Sequence, residues 1–252
     1  MSQLNGSEPA QARSTLPESN PSPLARRALD AESRFLPSQC FIISCGTVTL
    51  DRKAGKVLLV YNKPNGIYQL PKGRKDIDED GLLSIAIRET LEETGYEVKP
   101  LILKIPTRST PVHAAGTPNG TTNGTTNGMA KTAATVPMPA PNDGFVDLDG
   151  EKVPEKGLAL GIPNREAIAC LHWYDAQTKA LKMIFHFAAE ADSTKKPRAQ
   201  RPEDAAKHGV YWVEYEDALE RLWYEEERMA VEKALCDLRR SEDGDATPVT
   251  GV

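Results

Sequence analysis

The run from Pro71 to Tyr96 constrains this chain more than any other segment. It reads Pro71-Lys72-Gly73-Arg74-Lys75-Asp76, then, after an acidic stretch, Arg88-Glu89-Thr90-Leu91-Glu92-Glu93-Thr94-Gly95-Tyr96. Glu89, Glu92 and Glu93 stand at i, i+3 and i+4, so a helix carries all three on one face. Like charges at that spacing repel by about 0.2–0.5 kcal/mol per exposed pair. A hard cation that takes oxygen ligands removes the repulsion, and Mg²⁺ is such a cation. Three cations, Lys72, Arg74 and Lys75, flank the glycine turn that leads in. The pattern points to a magnesium site built to receive phosphate.

The apolar residues support a helix from about Gly81 to Thr94. Leu83, Ile87 and Leu91 recur at i, i+4 and i+8, and Ile85, Ala86 and Thr90 widen the stripe. Arg88 can pair with Glu92 one turn on or with Glu89 beside it. Gly95 follows the last periodic residue, where a helix end favours glycine. Asp78, Glu79 and Asp80 precede the helix, where its dipole favours negative charge. The bland alternative is a solvated acidic helix face with Arg88 in a surface ion pair. That reading leaves the glycines, the basic loop and the spacing unexplained.

The run resembles the Nudix box, G-x5-E-x7-R-E-U-x-E-E-x-G-U, where U is a bulky apolar residue. Gly73 matches the leading glycine, Arg88-Glu89 the R-E pair, Glu92-Glu93 the E-E pair and Gly95-Tyr96 the close. There are two departures. Thr90 stands where the pattern has a bulky apolar residue, and the middle is one residue too long. Counting forward from Gly73 reaches Glu79, while counting back from Arg88 reaches Asp80. Either acid can be the middle carboxylate.

The resemblance implies a Nudix-like α/β/α sandwich with a mixed sheet, and Mg²⁺-dependent hydrolysis of a diphosphate linked to another group, with Mn²⁺ as a substitute. It makes Glu92 and Glu93 metal ligands. Glu89 is a further ligand or a water-positioning group, the Gly73 carbonyl is a candidate ligand, and Arg88 holds a glutamate in place. Nudix proteins often take the general base from outside the box, and Glu190 is the candidate here. Lys72, Arg74 and Lys75 either bind extra substrate phosphates or pair with Asp76 and Asp78. Tyr68 and Trp173 either stack on a base or pack in the core. The expected partner is a small phosphorylated molecule, with a tilt toward dinucleoside polyphosphates or diphosphoinositol polyphosphates. A non-catalytic binding or regulatory module on the same fold is the alternative.

The chain has 252 residues. Residues 1–33 and 241–252 read as disordered tails, and about 107–142 as a low-complexity insertion carrying an Asn-Gly-Thr-Thr repeat, because none can bury enough apolar surface to offset ordering entropy. The domain is then 34–240, and without the insertion it keeps roughly 170 residues, enough for one core. The net charge of −5 does not suggest generic nucleic-acid binding. No apolar run suggests a membrane span, and Met1-Ser-Gln-Leu-Asn does not read as a signal peptide. Cys40, Cys45, Cys170 and Cys236 have no CxxC pairing and read as reduced thiols, which fits the cytoplasm or nucleus.

Coarse periodicity predicts a hairpin at Gln39–Leu50 and Lys56–Tyr61, a short extended piece at Ile67–Leu70, and a strand at Tyr96–Ile105. A second hairpin is expected at Ala167–Tyr174 and Ala180–Phe187, then a strand at Val210–Val213 and one long helix from Tyr215 to Arg240. Strands and helices in this order fit a mixed sheet packed between helices.

Overall fold

The computed structural model describes residues 35–110 and 158–243. The expected tail at 1–33, most of the insertion at 107–142 and residues 244–252 lie outside the described residues. The unit that carries the site begins at Ser38.

Its central strand is β1, Phe41–Asp51. A turn at 52–55, closed by Asp51 Oδ1 accepting the amides of Lys53 and Ala54, leads to β2, Lys56–Asn62. β1 and β2 pair only next to this turn, Leu50 with Val57 and Asp51 with Lys56, and then splay apart. The next segment fills the wedge. Its first part, β3 (Ile67–Gln69), pairs with β2, and its second, β4 (Lys72–Arg74), pairs with β1. Pro71 stands at the crossing, where the missing amide is no loss to a ladder.

Helix α1, Leu82–Thr94, follows and lies across β1, β4 and β7. It ends at Gly95, whose φ of 75° is left-handed and whose amide closes on the Leu91 carbonyl. The expected strand at 96–105 is mostly absent. Only β5, Lys99–Pro100, joins the sheet. Leu101, Leu103 and Ile105 still alternate inward. Past them the chain pairs with its own continuation across the undescribed stretch, Leu103 with Asn164 and Thr107 with Ala159.

The second hairpin forms as expected from β6, Ala169–Tyr174, and β7, Leu181–Glu190. β7 then runs parallel to β1 over its length, from Phe41 beside Leu181 to Leu50 beside Glu190. A short helix, α2 (Pro202–Lys207), was not anticipated, although Pro202 at its start and Glu203 and Asp204 in its first turn are helix-start signals. β8, His208–Glu214, pairs antiparallel with β2.

The single helix expected at 215–240 is two: α3, Tyr215–Arg221, and α4, Glu225–Asp243. No Pro or Gly marks the break. It occurs because the Trp223 amide donates to the Tyr68 carbonyl of β3, 3.1 Å away, instead of continuing the helix. α4 also runs three residues past Arg240, and Ser241 Oγ accepts the Lys104 amide.

The result is a three-layer α/β/α sandwich around a mixed eight-stranded sheet. Val48, Leu50, Val57 and Leu59 face α3 and α4 in the larger core. Cys45 and Phe187 face Ile85 and Ala86 of α1 in the smaller one. The period of two on β1 thus sorts Ser44, Gly46 and Val48 to one side, and Cys45 and Thr47 to the other.

His186, on the α4 side of β7 with Ala188, is wholly buried, and neither ring nitrogen has a hydrogen-bond partner among the described residues. Burial, aided by nearby Lys72, pulls its pKa down to about 3. The unfolded chain takes up that proton near pH 6.5, so between those values it binds more protons than the folded protein, and stability is lost as pH falls. Between pH 6.5 and 4 the loss is roughly 3 kcal/mol. His186→Leu is expected to be neutral or stabilising at pH 7 and to flatten the decline in melting temperature between pH 7 and 4. Parallel melting profiles of the two proteins across that range would contradict this.

Candidate active site

Gly73 is not in a loop. It lies in β4, opposite Cys45 of β1, and the sheet places it under α1. The Glu89 carboxylate packs against its α-carbon, in the volume that a Cβ would need. This explains the glycine by close approach. Lys75 N donates to Ile43 O and Thr47 N to Pro71 O. By antiparallel alternation, Cys45 and Gly73, midway between, fall on the next hydrogen-bonded position. One lone pair of the Gly73 carbonyl therefore belongs to the sheet and one is spare.

The buried face of α1 is not the Leu83–Ile87–Leu91 stripe, which is only half-buried. It runs through Ile85, Ala86, Glu89, Thr90 and Glu93. Thr90 explains its own departure from the box: its hydroxyl donates to the Ala86 carbonyl and lies 2.8 Å from the Thr47 hydroxyl on β1. Glu89 is 7% and Glu93 8% exposed. A solvated acidic face is excluded by those values.

Arg88 organises the carboxylates. Nη1 donates to Glu89 (2.8 Å) and Glu92 (2.9 Å), so both expected pairings form at once. Nε and Nη2 form a fork on Glu79, at 2.9 and 2.8 Å, and Nη2 also reaches the Arg74 carbonyl. Glu79 is therefore the acid that closes on the arginine, and the fork holds its carboxyl below the usual range. Asp80 contributes its carbonyl, which accepts from Ser84. The extra residue is absorbed before the helix, where Asp78 takes a left-handed φ of 62° that aspartate tolerates. Glu79 is turned back there, and its carboxylate accepts the Asp76 amide.

Burial pushes the Glu89 carboxyl up, against the pull of Arg88. Glu93 goes further, to about 8, because burial outweighs the attraction of Lys72 and the Lys72 amide, which donates to Oε2 at 3.0 Å. His208 Nδ1 of β8 lies 4.0 Å from the same carboxyl. Two residues escaped the sequence reading. Arg201 Nη2 sits 2.9 Å from Glu92 while Nε holds Asp204 at 2.7 Å. Gln200 donates its side-chain amide to the Glu93 carbonyl. Both follow the basic stretch Lys195–Arg198, but no local spacing links them to α1.

Two expectations are corrected. Lys72 is not free to meet substrate. Gly73 faces α1, so its neighbours in the strand, Lys72 and Arg74, point to the other side of the sheet. Lys72 Nζ pairs there with buried Glu227 at 2.9 Å. Lys75 is exposed, with its ammonium on the Asp76 carbonyl. Nor does the structure bring Glu190 to the other residues. It stands beside Leu50, five residues along the parallel ladder from the level of Cys45 and Gly73, roughly 16 Å at strand rise. Its carboxylate is held by Arg52 at 2.8 Å. Tyr68 and Trp173 keep to local company: Tyr68 packs against Tyr61 and Tyr211, and Trp173 lies under Lys182.

Among the described residues no three His, Cys, Asp or Glu side chains converge closely enough to hold a metal ion. The donors nevertheless fit a hard divalent cation in kind. Glu89 and Glu93 are carboxylates that burial pushes toward the neutral form, and carboxylate oxygens are the ligands such a cation takes.

The comparisons with known proteins come from sequence and from structure. No protein-family model matches the chain. The Arabidopsis thaliana mRNA-decapping enzyme subunit 2 is 35% identical over 68 residues, which is 27% of this chain and 18% of that protein's length. Among solved structures, a C. elegans Ap4A hydrolase binary complex aligns with 79% of this chain and 98% of its own at 18% identity and a TM-score of 0.44. A MutT NUDIX hydrolase from Burkholderia pseudomallei aligns over 77% and 97% at 17% identity, TM-score 0.40. A NUDIX hydrolase from Nitrosomonas europaea aligns over 76% and 86% at 14% identity, TM-score 0.41. This chain resembles the Nudix hydrolases in its α/β/α architecture and in a box whose arginine and glutamates share one helix packed over the leading glycine.

The two candidate middle carboxylates separate cleanly by substitution. Glu79→Gln loses a charged fork on Arg88 and is expected to cost about 1–3 kcal/mol. Asp80→Asn is expected to stay within about 0.5 kcal/mol of the unaltered protein. Urea denaturation of the two variants tests this, and equal losses would refute the assignment.

Proposed function

We propose that this protein hydrolyses a diphosphate linkage in a nucleoside-diphosphate-X type compound, with Mg²⁺ or Mn²⁺. The observation that carries the reading is the burial of Glu89 and Glu93 against Gly73, with Arg88 gripping Glu89 and Glu92. A surface helix has no use for that arrangement, whereas phosphoryl chemistry does. Glu89, Glu92, Glu93 and the spare lone pair of Gly73 would hold the cation. When bound, it supplies charge neutralisation at the phosphate oxygens and a more acidic water.

The chain's own residues do the rest. Arg88 fixes Glu89 and Glu92 in one plane of approach through charge-assisted bonds. The Lys72 amide fixes one oxygen of Glu93, and the other lies 4.0 Å from His208 Nδ1. Arg201, half-exposed above Glu92, is the cation on this face best placed to meet a substrate phosphate. The tilt toward dinucleoside polyphosphates or diphosphoinositol polyphosphates now rests on Lys75, since Arg74 shares the far face of β4 with Lys72. Among the described residues, no helix is long and apolar enough to cross a membrane.

A second reading, a binding or regulatory module with little catalysis, has one observation in its favour. Arg88 and Arg201 already neutralise Glu89 and Glu92, so the face is partly satisfied without a cation.

Turnover separates the two. The purified full chain is assayed with Mg²⁺ against a nucleotide sugar, a dinucleoside polyphosphate, a diphosphoinositol polyphosphate and a capped RNA. Hydrolysis of at least one is expected, with loss of activity in chelator. Glu92→Gln and Glu93→Gln are each expected to lower kcat by two orders of magnitude or more with unchanged circular dichroism. Cation-independent turnover, or near-normal rates in both variants, would defeat the enzyme reading. Lys75→Ala is expected to raise KM on the phosphate-rich substrates more than on the nucleotide sugar.

A further inference from the structure

Glu227 belongs to α4, on the face of the sheet opposite the box helix, and is 1% exposed. A carboxylate so deeply buried needs partners for both oxygens. Oε1 meets Lys72 Nζ at 2.9 Å, and Oε2 accepts the Leu70 amide at 2.9 Å. Lys72 Nζ also donates to the Leu70 carbonyl at 3.2 Å. One side chain thus grips both ends of a three-residue span at the crossing from β3 to β4. From that span the Lys72 amide passes to the other side of the sheet and donates to Glu93. The path Glu227, Leu70–Lys72, Glu93 is continuous, and every link is a hydrogen bond or ion pair no longer than 3.2 Å.

The core does not require this arrangement. Leu70, which it grips, and Val231, one turn on in α4, belong to the larger core, and an apolar side chain of similar volume packs a core at less desolvation cost than a buried ion pair. What the pair adds is a fixed position for the Lys72 backbone, in β4 beside Gly73. The Lys72 amide, which donates to Glu93, and the adjoining Gly73 carbonyl move together with it.

We propose that Glu227 is a positioning residue for the candidate cation site: through Lys72 it sets the placement of the Lys72 amide and Gly73 carbonyl relative to Glu93. The inference rests on the cation-site reading given under the proposed function. It adds a residue from outside the box, on the far side of the sheet, to the set that determines affinity for the ion.

Groups that orient metal ligands typically cost 10–100-fold in metal affinity or activity when removed. The test measures Mn²⁺ binding to the purified full chain by electron paramagnetic resonance, with melting temperature alongside. Glu227→Gln keeps an oxygen for the Leu70 amide and removes the charge facing Lys72. It is expected to weaken Mn²⁺ binding at least tenfold. Lys72→Met is expected to do the same from the other end. The double variant should be no weaker than the worse single variant, because both act along one path. Leu238→Ala, a cavity in α4 eleven residues beyond Glu227, should lower the melting temperature and leave Mn²⁺ affinity within twofold.

Mn²⁺ affinity within twofold of the unaltered protein in Glu227→Gln overturns the proposal, as does an additive loss in the double variant. If Glu227→Gln does not fold, Lys72→Met decides by the same twofold criterion. If the unaltered chain binds no Mn²⁺, the cation-site reading itself falls and takes the proposal with it. Unaltered binding with unaltered variants removes the role of Glu227 alone.

Discussion

The structure turns on the burial of two carboxylates, Glu89 and Glu93, between a helix and a sheet. Taking such groups out of water is costly unless charge and hydrogen bonds replace the lost hydration. Much of the local architecture supplies that replacement. Arg88 reaches from the same helix to Glu89 and Glu92, and is itself aimed by a fork from Glu79. β4 contributes the Lys72 amide and a residue without a side chain at Gly73. Neither carboxylate is fully compensated, and both are pushed toward the neutral form. Buried carboxylates on one helix suit a site for a hard cation and fit poorly with a surface decoration.

The wedge between β1 and β2 makes this possible. Because the two strands part after two residue pairs, a third segment can enter the sheet and present its backbone to α1. A loop at that place would offer amides and carbonyls at positions set by its own flexibility. A strand fixes them at ladder spacing, and it sorts its side chains by alternation. The same alternation sends Lys72 to the far face, where Glu227 of α4 meets it. A lysine next to the leading glycine of the box therefore serves the scaffold.

Much of the site was legible in the sequence because its parts are local. The glutamates sit within five residues on one helix, and helical spacing alone puts them on a common face. The glycine stop at Gly95 and the Arg88 pairings are equally local. The choice between Glu79 and Asp80 was not, since it depends on how an extra residue is accommodated, and the left-handed turn at Asp78 leaves no mark in a count of positions. The burial of α1 was only partly legible for a related reason: Ile85, Ala86 and Thr90 of the widened stripe are buried, while Leu83, Ile87 and Leu91 are half-buried. Periodicity ranks residues by apolarity, whereas here the buried face carries the charged residues of the site.

By itself the sequence determined the elements and the chemistry: a helix bearing three carboxylates, a leading glycine, two hairpins and a mixed α/β order. Each follows from interactions within a few residues, where spacing and geometry are nearly equivalent. Tertiary structure alone decided which groups meet. It broke the last helix at Trp223 by offering the Tyr68 carbonyl, joined the chain across the insertion through Leu103 and Asn164, brought Arg201 onto Glu92 and left Glu190 far along β7 with Arg52. These contacts join residues distant in the chain, and their energies depend on strand register and burial. No local pattern encodes either one, because both are properties of the assembled sheet.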